Sequence, residues 1–238
     1  MCDLSSASPE LLAVLESAAK LQRVVPDAVL VGGSAAALHA RHRTSFDHDH
    51  VLPELTERYA AILEAVEATD GWATSVRASK PPMTIMGELG GIEAGLRQLR
   101  RTVPLQTERV TLPSRSQVVV PTIEEALRVK AYLVLQRNAV RDYLDVAALA
   151  DRLGIAAASA VLAALDAYYD DRDPDHESVV TALTERLSLP QPRDTRVLRE
   201  LSRYKQLDER WHEWGAIVGV CQQLADAIVA TPPNDERA

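Results

Sequence analysis

Apolar positions recur along this chain with two different periods, and the change between them divides it. From residue 9 to about 25, Leu11, Leu12, Leu15, Ala18 and Ala19 fall at helical spacing. Ser8 stands as N-cap, Pro9 at the first helical position and Glu10 in the first turn, and Pro26 ends the segment. Residues 28–31 form a short apolar run that suits a buried strand. A second helix is predicted from about Pro53 and Glu54, with Tyr59, Ile62, Leu63 and Val66 at core spacing, ending near Asp70 and Gly71. Between 72 and 120 the texture changes. Short segments at 72–76, 83–86, 91–96, 109–112 and 117–120, separated by Pro and Gly, predict the strands that complete a mixed sheet.

Beyond residue 121 the helical period returns. Thr122 and Glu125 are spaced as a capping box, after which Ala126, Leu127, Leu133 and Val134 line one side of a helix. The next helix turns Val140, Leu144, Ala147 and Ala148 inward. Further helices are predicted at 156–169, 179–187, 194–204 and 208–230, with a charged loop at 170–175 and a frayed tail at 231–238. The last of these helices carries Trp211, Trp214, Ile217, Val218, Cys221, Leu224 and Ile228 at core spacing. The pattern predicts an α+β fold: a mixed β-sheet core with flanking helices over residues 1–120, and a helical C-terminal domain over 121–238.

Composition adds bounds. A chain of 238 residues, 47% apolar and 25% charged, buries a sizeable core as one large domain or two small ones. It has no apolar run of the roughly 20 residues a membrane span needs and no N-terminal signal pattern, so the expected location is the cytoplasm. Cys2 and Cys221 lie at opposite ends without metal-ligand spacing and read as ordinary thiols. A net charge of −8 argues against a protein that coats nucleic acid. Residues 97–141 nevertheless carry nine basic against three acidic side chains, a zone suited to a triphosphate or an RNA end, or else one of solvated and ion-paired arginines.

The candidate chemistry gathers in Val31-Gly32-Gly33-Ser34 and Arg43-Thr44-Ser45-Phe46-Asp47-His48-Asp49-His50. A glycine pair after a strand allows a tight turn, and the helix that Ser34 opens would offer N–H groups to phosphate. Twelve residues separate Ser34 from Asp47. On a strand, Asp47 and Asp49 share one face while His48 and His50 take the other, so a joint zinc site would need a broken strand. Two carboxylates beside a phosphate cradle suit Mg²⁺ and phosphoryl or nucleotidyl transfer. Lys130 sits in the middle of an apolar stripe, where it either reaches a nucleotide phosphate or snorkels from the stripe's edge. Arg141 and Asp145, four apart, read on their own as a surface pair.

With these residues in view, the chain resembles the nucleotidyltransferase superfamily related to DNA polymerase β, and within it the AbiEii/AbiGii toxin branch that includes MenT-type toxins. The resemblance covers residues 28–50 and 122–149, the second block running from Glu125 and Lys130 through Arg137, Arg141 and Asp142 to Asp145. The polar His48 and His50 depart from the branch, which usually has apolar residues there. The resemblance implies a nucleotidyltransferase-type core and a toxin of a toxin–antitoxin pair, with an antitoxin partner, that moves a nucleotidyl group from an NTP to an acceptor such as tRNA. Mg²⁺ or Mn²⁺ would sit on Asp47 and Asp49, with Glu93 as a third carboxylate or, alternatively, an edge-strand glutamate facing water. Gly32, Gly33, Ser34, Arg43 and Thr44 would bind the nucleotide. Lys130 would contact phosphate, and Asp145 would act at the active centre or hold its geometry. Three alternatives stand beside this: a small-molecule or protein acceptor on the same fold, a non-catalytic nucleotide-binding module, and an interaction protein working through its last helix.

Overall fold

The computed structural model of the chain describes residues 4, 7–169, 178–204 and 206–231. It divides into two compact units, residues 1–38 with 44–122 and residues 39–43 with 123–238. The fold is α+β, with a mixed sheet and flanking helices.

In the first unit the order is α1 (Pro9–Val24), β1 (Val29–Val31), α2 (Gly32–Ala40), β2 (Asp47–Leu52), α3 (Leu55–Glu67), β3 (Trp72–Thr74), β4 (Thr84–Leu89), β5 (Ile92–Gln98), β6 (Thr107–Thr111) and β7 (Gln117–Pro121). Ser8 caps α1 as expected, its Oγ accepting from the Leu11 N–H at 3.2 Å. The sheet runs β1-β2-β5-β4-β3. Its one parallel pair among the described strands, β2 with β5, needs a long crossover, which α3, β3 and β4 supply. One expectation is corrected: β6 and β7 do not complete this sheet but pair with each other as a separate antiparallel ribbon. Gln22 on α1 serves as their neighbour, donating to the Val119 carbonyl at 2.8 Å and accepting from its N–H at 2.7 Å. A side-chain amide thereby replaces the strand that β7 lacks on that side.

Two apolar clusters fill the unit, one around Leu11, Leu15, Leu30, Val118 and Val120 and the other around Leu21, Leu52, Ile62, Ile85 and Leu96. β2 is unbroken and alternates strictly, half-buried at Asp47, Asp49 and Val51 and buried at His48, His50 and Leu52. The histidines therefore lie on the core face. Their rings meet edge to face at 5.2 Å, and His48 Nε2 donates to Ser17 Oγ at 3.1 Å while that hydroxyl donates to the Leu89 carbonyl. Burial pushes His48 down to about 4 and His50 well below its ordinary value, so both rings are neutral at pH 7.

The second unit contains α4 (Ile123–Arg137), α5 (Val140–Leu153), α6 (Ile155–Ala163), α7 (Asp166–Tyr169), α8 (Val179–Ser188) and α9 (Trp214–Ala230), with 3₁₀ turns at Val197–Arg203 and Glu209–Trp211. Asn138 closes α4 in a left-handed conformation, donates to the Gln191 carbonyl and accepts from the Tyr143 hydroxyl at 2.6 Å. α5 and α6 meet at a 119° bend after Gly154, and no single helix among the described residues is long and apolar enough to cross a membrane. The predicted helix at 156–169 is two, because Leu165, fully buried, closes a tighter turn onto Leu162. The segment at 194–204 winds as a kinked 3₁₀ turn; the Asp194 carboxylate that would cap it accepts instead from the Val140 N–H at 2.8 Å. The last helix begins at Trp214, after a 3₁₀ turn capped by Asp208. Burial pushes the Cys221 thiol up to about 12, which leaves it inert at neutral pH. Cys2, His176, the charged loop expected at 170–175 and most of the C-terminal tail lie outside the described residues.

Replacing Gln22 with leucine would leave the part-buried Val119 N–H and carbonyl without this partner, an expected loss of roughly 1–3 kcal/mol. Urea unfolding checks this: a lower midpoint at unchanged slope is expected, and an unchanged midpoint would mean that water satisfies β7 equally well.

Candidate active site

β1 ends in Val31, and Gly32 turns the chain into α2 with a φ of +75°, a conformation that side-chain-bearing residues adopt only under strain. The turn abuts β2. A Cβ on Gly32 would lie 3.4 Å from Asp49 Cβ and 3.5 Å from Asp49 Oδ2, so the carboxylate rests against the bare backbone of the turn. Ser34, buried in the first turn of α2, donates its hydroxyl to the Asp47 carbonyl. Ser45 Oγ donates to Asp47 Oδ1 at 3.1 Å and aims that carboxylate. The glycine turn and the two acids thus form one piece.

Next to β2 lies β5, whose register sets Glu93 opposite Asp47 and Gly95 opposite Asp49. On the far side of β5, Glu88 of β4 stands opposite Glu93, so three carboxylate-bearing positions cross three strands in one row. Like charges in such a row repel unless solvent or a cation separates them. Among the described residues no three His, Cys, Asp or Glu side chains are arranged to hold a metal ion by themselves. Asp47 and Asp49 set two carboxylates on one face of β2, where they could hold part of the shell of a divalent cation such as Mg²⁺.

Gly95 and Arg97 of β5 complete the surroundings of Asp49. A Cβ on Gly95 would stand 2.6 Å from Asp49 Oδ1 and 2.9 Å from Met86 Sδ, so the absence of a side chain makes the space that Asp49 occupies. Arg97, two residues on, donates through Nε to Asp49 Oδ1 at 3.2 Å. The available signal was an isolated glycine inside a strand pattern, which marks close approach, followed at i+2 by a residue on the same face.

In the second unit, α5 carries Asp145, fully buried, and two cations and a neutral imidazole converge on it. Arg43 forks onto both oxygens, at 2.8 Å through Nε and 3.0 Å through Nη2. Lys130 of α4 approaches Oδ2 to 2.6 Å, and His42 Nε2 lies 2.7 Å from Oδ1. Asp142, one turn earlier, lies 3.7 Å from the Lys130 ammonium and is fully buried. Burial alone would raise the Asp145 carboxyl, but Arg43, Lys130 and His42 outweigh it and hold the group well below the usual carboxylate range. Burial pushes His42 below its ordinary value despite Asp145, and pushes Asp142 up against the pull of Lys130. Asp145 is therefore no partner of Arg141 on the surface.

The structure accordingly sorts the sequence-derived candidates into two groups. Gly32, Gly33, Ser34, Thr44, Asp47, Asp49 and Glu93 belong to the first unit, Thr44 buried and Glu93 exposed. Arg43, Lys130 and Asp145 come together in the second, with His42.

No family model matches this sequence. Curated relatives include the heme uptake protein MmpL11 of Mycobacterium tuberculosis, 31% identical over 237 aligned residues that cover 89% of this chain and 22% of that protein. The mycolic acid-containing lipids exporter MmpL11 of Mycolicibacterium smegmatis is 40% identical over 101 residues, 42% of this chain and 11% of that one. The chain spans about a fifth of the length of the Mycobacterium tuberculosis protein it matches. Among solved structures, JHP933 from Helicobacter pylori superposes with a TM-score of 0.49 at 15% identity, covering 94% of this chain and 93% of that one. ANT(2″)-Ia in complex with adenylyl-2″-tobramycin gives 0.48 at 12% identity over 66% and 98%. An antigenic nucleotidyltransferase-like protein from Paracoccidioides brasiliensis gives 0.46 at 18% over 74% and 94%. Superpositions this loose carry no argument about chemistry, which has to stand on the residues.

The buried cluster sets a pH response. His42 is neutral in the fold and takes up a proton more readily when unfolded, so stability is full above about pH 6.5 and falls as acid is added. Asp145 adds a second loss below about pH 4, where the unfolded carboxyl protonates before the folded one. In a series of unfolding curves from pH 8 to 3, His42→Gln is expected to flatten the upper limb and leave the lower. An unchanged upper limb would assign that loss to the other buried histidines. Lys130→Met leaves Arg43 on Asp145 but removes a buried countercharge, an expected cost of about 3–5 kcal/mol by the same measurement.

Proposed function

We propose that this chain is a Mg²⁺-dependent nucleotidyltransferase that moves a nucleotidyl group from an NTP to an acceptor hydroxyl. One observation carries the reading: the Asp49 carboxylate rests against the glycine turn at the start of α2, with Asp47 on the same open face of β2. The backbone N–H groups of the first turn of α2, around Gly33 and Ser34, would hold the triphosphate, Ser34 through its N–H because its hydroxyl is engaged with Asp47. Asp47 and Asp49 would hold the divalent cation, with Glu93 beside Asp47 as a further carboxylate. The bound ion supplies Lewis-acid charge to the phosphate oxygens.

In the transfer, the acceptor oxygen bonds to the α-phosphorus, the bond to the bridging oxygen breaks, and pyrophosphate leaves with the electron pair. The acceptor's proton passes to the carboxylate face of β2. For Asp145 and Lys130 the buried ion cluster favours a positioning role: they hold Arg43 and His42, the residues from which the chain leads through Thr44 into β2. The sequence resemblance further supports a toxin of a toxin–antitoxin pair acting on tRNA, with an antitoxin as its partner.

A second reading draws on the similarity of 89% of this chain to part of a transport protein. In it the chain is a regulatory module that binds nucleotide without turning it over.

Mass spectrometry of total RNA, small metabolites and protein after incubation with each NTP and Mg²⁺ separates these readings. A mass increase of one nucleoside monophosphate on tRNA is expected, lost by at least about 100-fold in Asp47→Asn and Asp49→Asn. The same increase on a small molecule or a protein would change the acceptor and keep the reaction. Nucleotide binding without any adduct, unaffected by these substitutions, would replace transfer by the regulatory reading.

A further inference from the structure

We propose that Arg97 is a latch on Asp49, through which the site accepts a divalent cation as its complex with a nucleoside triphosphate and discriminates against the bare ion. The proposal rests on the nucleotidyl-transfer reading and adds to it an order of assembly.

Arg97 Nε lies 3.2 Å from Asp49 Oδ1, and the two side chains retain 41% and 29% of their exposure. The second contact of the guanidinium is soft: Nη2 reaches the weak acceptor Met86 Sδ at 3.4 Å. Gly95 opens the lane between them, since a Cβ there would strike both Asp49 Oδ1 and Met86 Sδ. β5 thus offers a cation where a two-carboxylate site would otherwise present full negative charge.

The consequences follow from charge. A bare divalent ion arriving at Asp49 meets a carboxylate already in contact with a guanidinium, which repels it. It must displace Arg97 and gives that cation nothing in return. A cation arriving with a triphosphate brings several negative charges and phosphate oxygens in the planar spacing that a guanidinium fork accepts. Arg97 can then exchange Asp49 for phosphate without leaving the site. The half-exposed side chain needs only rotamer changes, with no backbone displacement.

The test uses the full chain and Mn²⁺ as the probe, with free ion counted by electron paramagnetic resonance, alone and with each of the four α,β-imido nucleoside triphosphates. In the natural chain, Mn²⁺ with the preferred analogue is expected to bind at least about tenfold tighter than Mn²⁺ alone. Arg97→Gln should bind bare Mn²⁺ about tenfold tighter than the natural chain and Mn²⁺ with analogue about tenfold more weakly. Arg97→Lys, which keeps the charge and loses the fork, should leave bare Mn²⁺ weak and still lose analogue affinity. Unchanged bare Mn²⁺ affinity in Arg97→Gln overturns the latch. If Asp47→Asn and Asp49→Asn abolish Mn²⁺ binding while Arg97→Gln does nothing, the latch alone fails. If those two substitutions leave Mn²⁺ and analogue binding intact, the nucleotidyl-transfer reading fails with it.

Discussion

A strand with a polar side chain at four consecutive positions has to send half of them into the core, and the pleat of β2 decides which. Asp47 and Asp49 face outward; His48 and His50 go inward, where burial keeps them neutral and Ser17 takes up one nitrogen of His48. The opposite assignment would bury two carboxylates, whose desolvation costs far more than that of neutral imidazoles. Most of the first unit follows from that choice. β5 must bring Gly95 alongside Asp49 to leave room for its carboxylate, and the turn before α2 must be glycine to let the same group rest against it.

The polar cluster of the second unit answers a comparable constraint. A fully buried Asp145 persists because two cations and an imidazole reach it, and each of those groups is buried in turn because Asp145 receives it. Removing one member strands the others, so the cluster acts as a unit. Arg43 and His42 precede β2 by only a few residues in the sequence.

Much of this could be read from sequence because it rests on local chemistry. Helix α1 followed from Ser8, Pro9 and a single apolar face, and the split of β2 into acidic and histidine faces followed from its period of two. What stayed hidden depends on pairing between distant segments. β6 and β7 form their own ribbon with Gln22 bonded to Val119, and that amide reads in the sequence like any polar residue on a helix flank. Lys130 stood out as a charge in an apolar stripe, which marks a functional or strained position without saying what faces it. Its partner is Asp145, which spacing alone pairs with Arg141, because four-residue spacing is visible in sequence and a salt bridge between two helices is not; only the family resemblance set Asp145 together with Lys130. Arg97 is one of nine basic residues in a zone that suits either a triphosphate or solvent, and the register of β5 against β2 is what sets it beside Asp49.

The most direct test of transfer at the Asp47–Asp49 face is to follow the phosphorus. NTPs labelled at the α- or the γ-phosphate, incubated with the full chain, Mg²⁺ and a cell extract, report which bond is broken. The account predicts label on the acceptor from the α-position alone, absent in Asp47→Asn. Label from the γ-position, or α-label that survives that substitution, would contradict it.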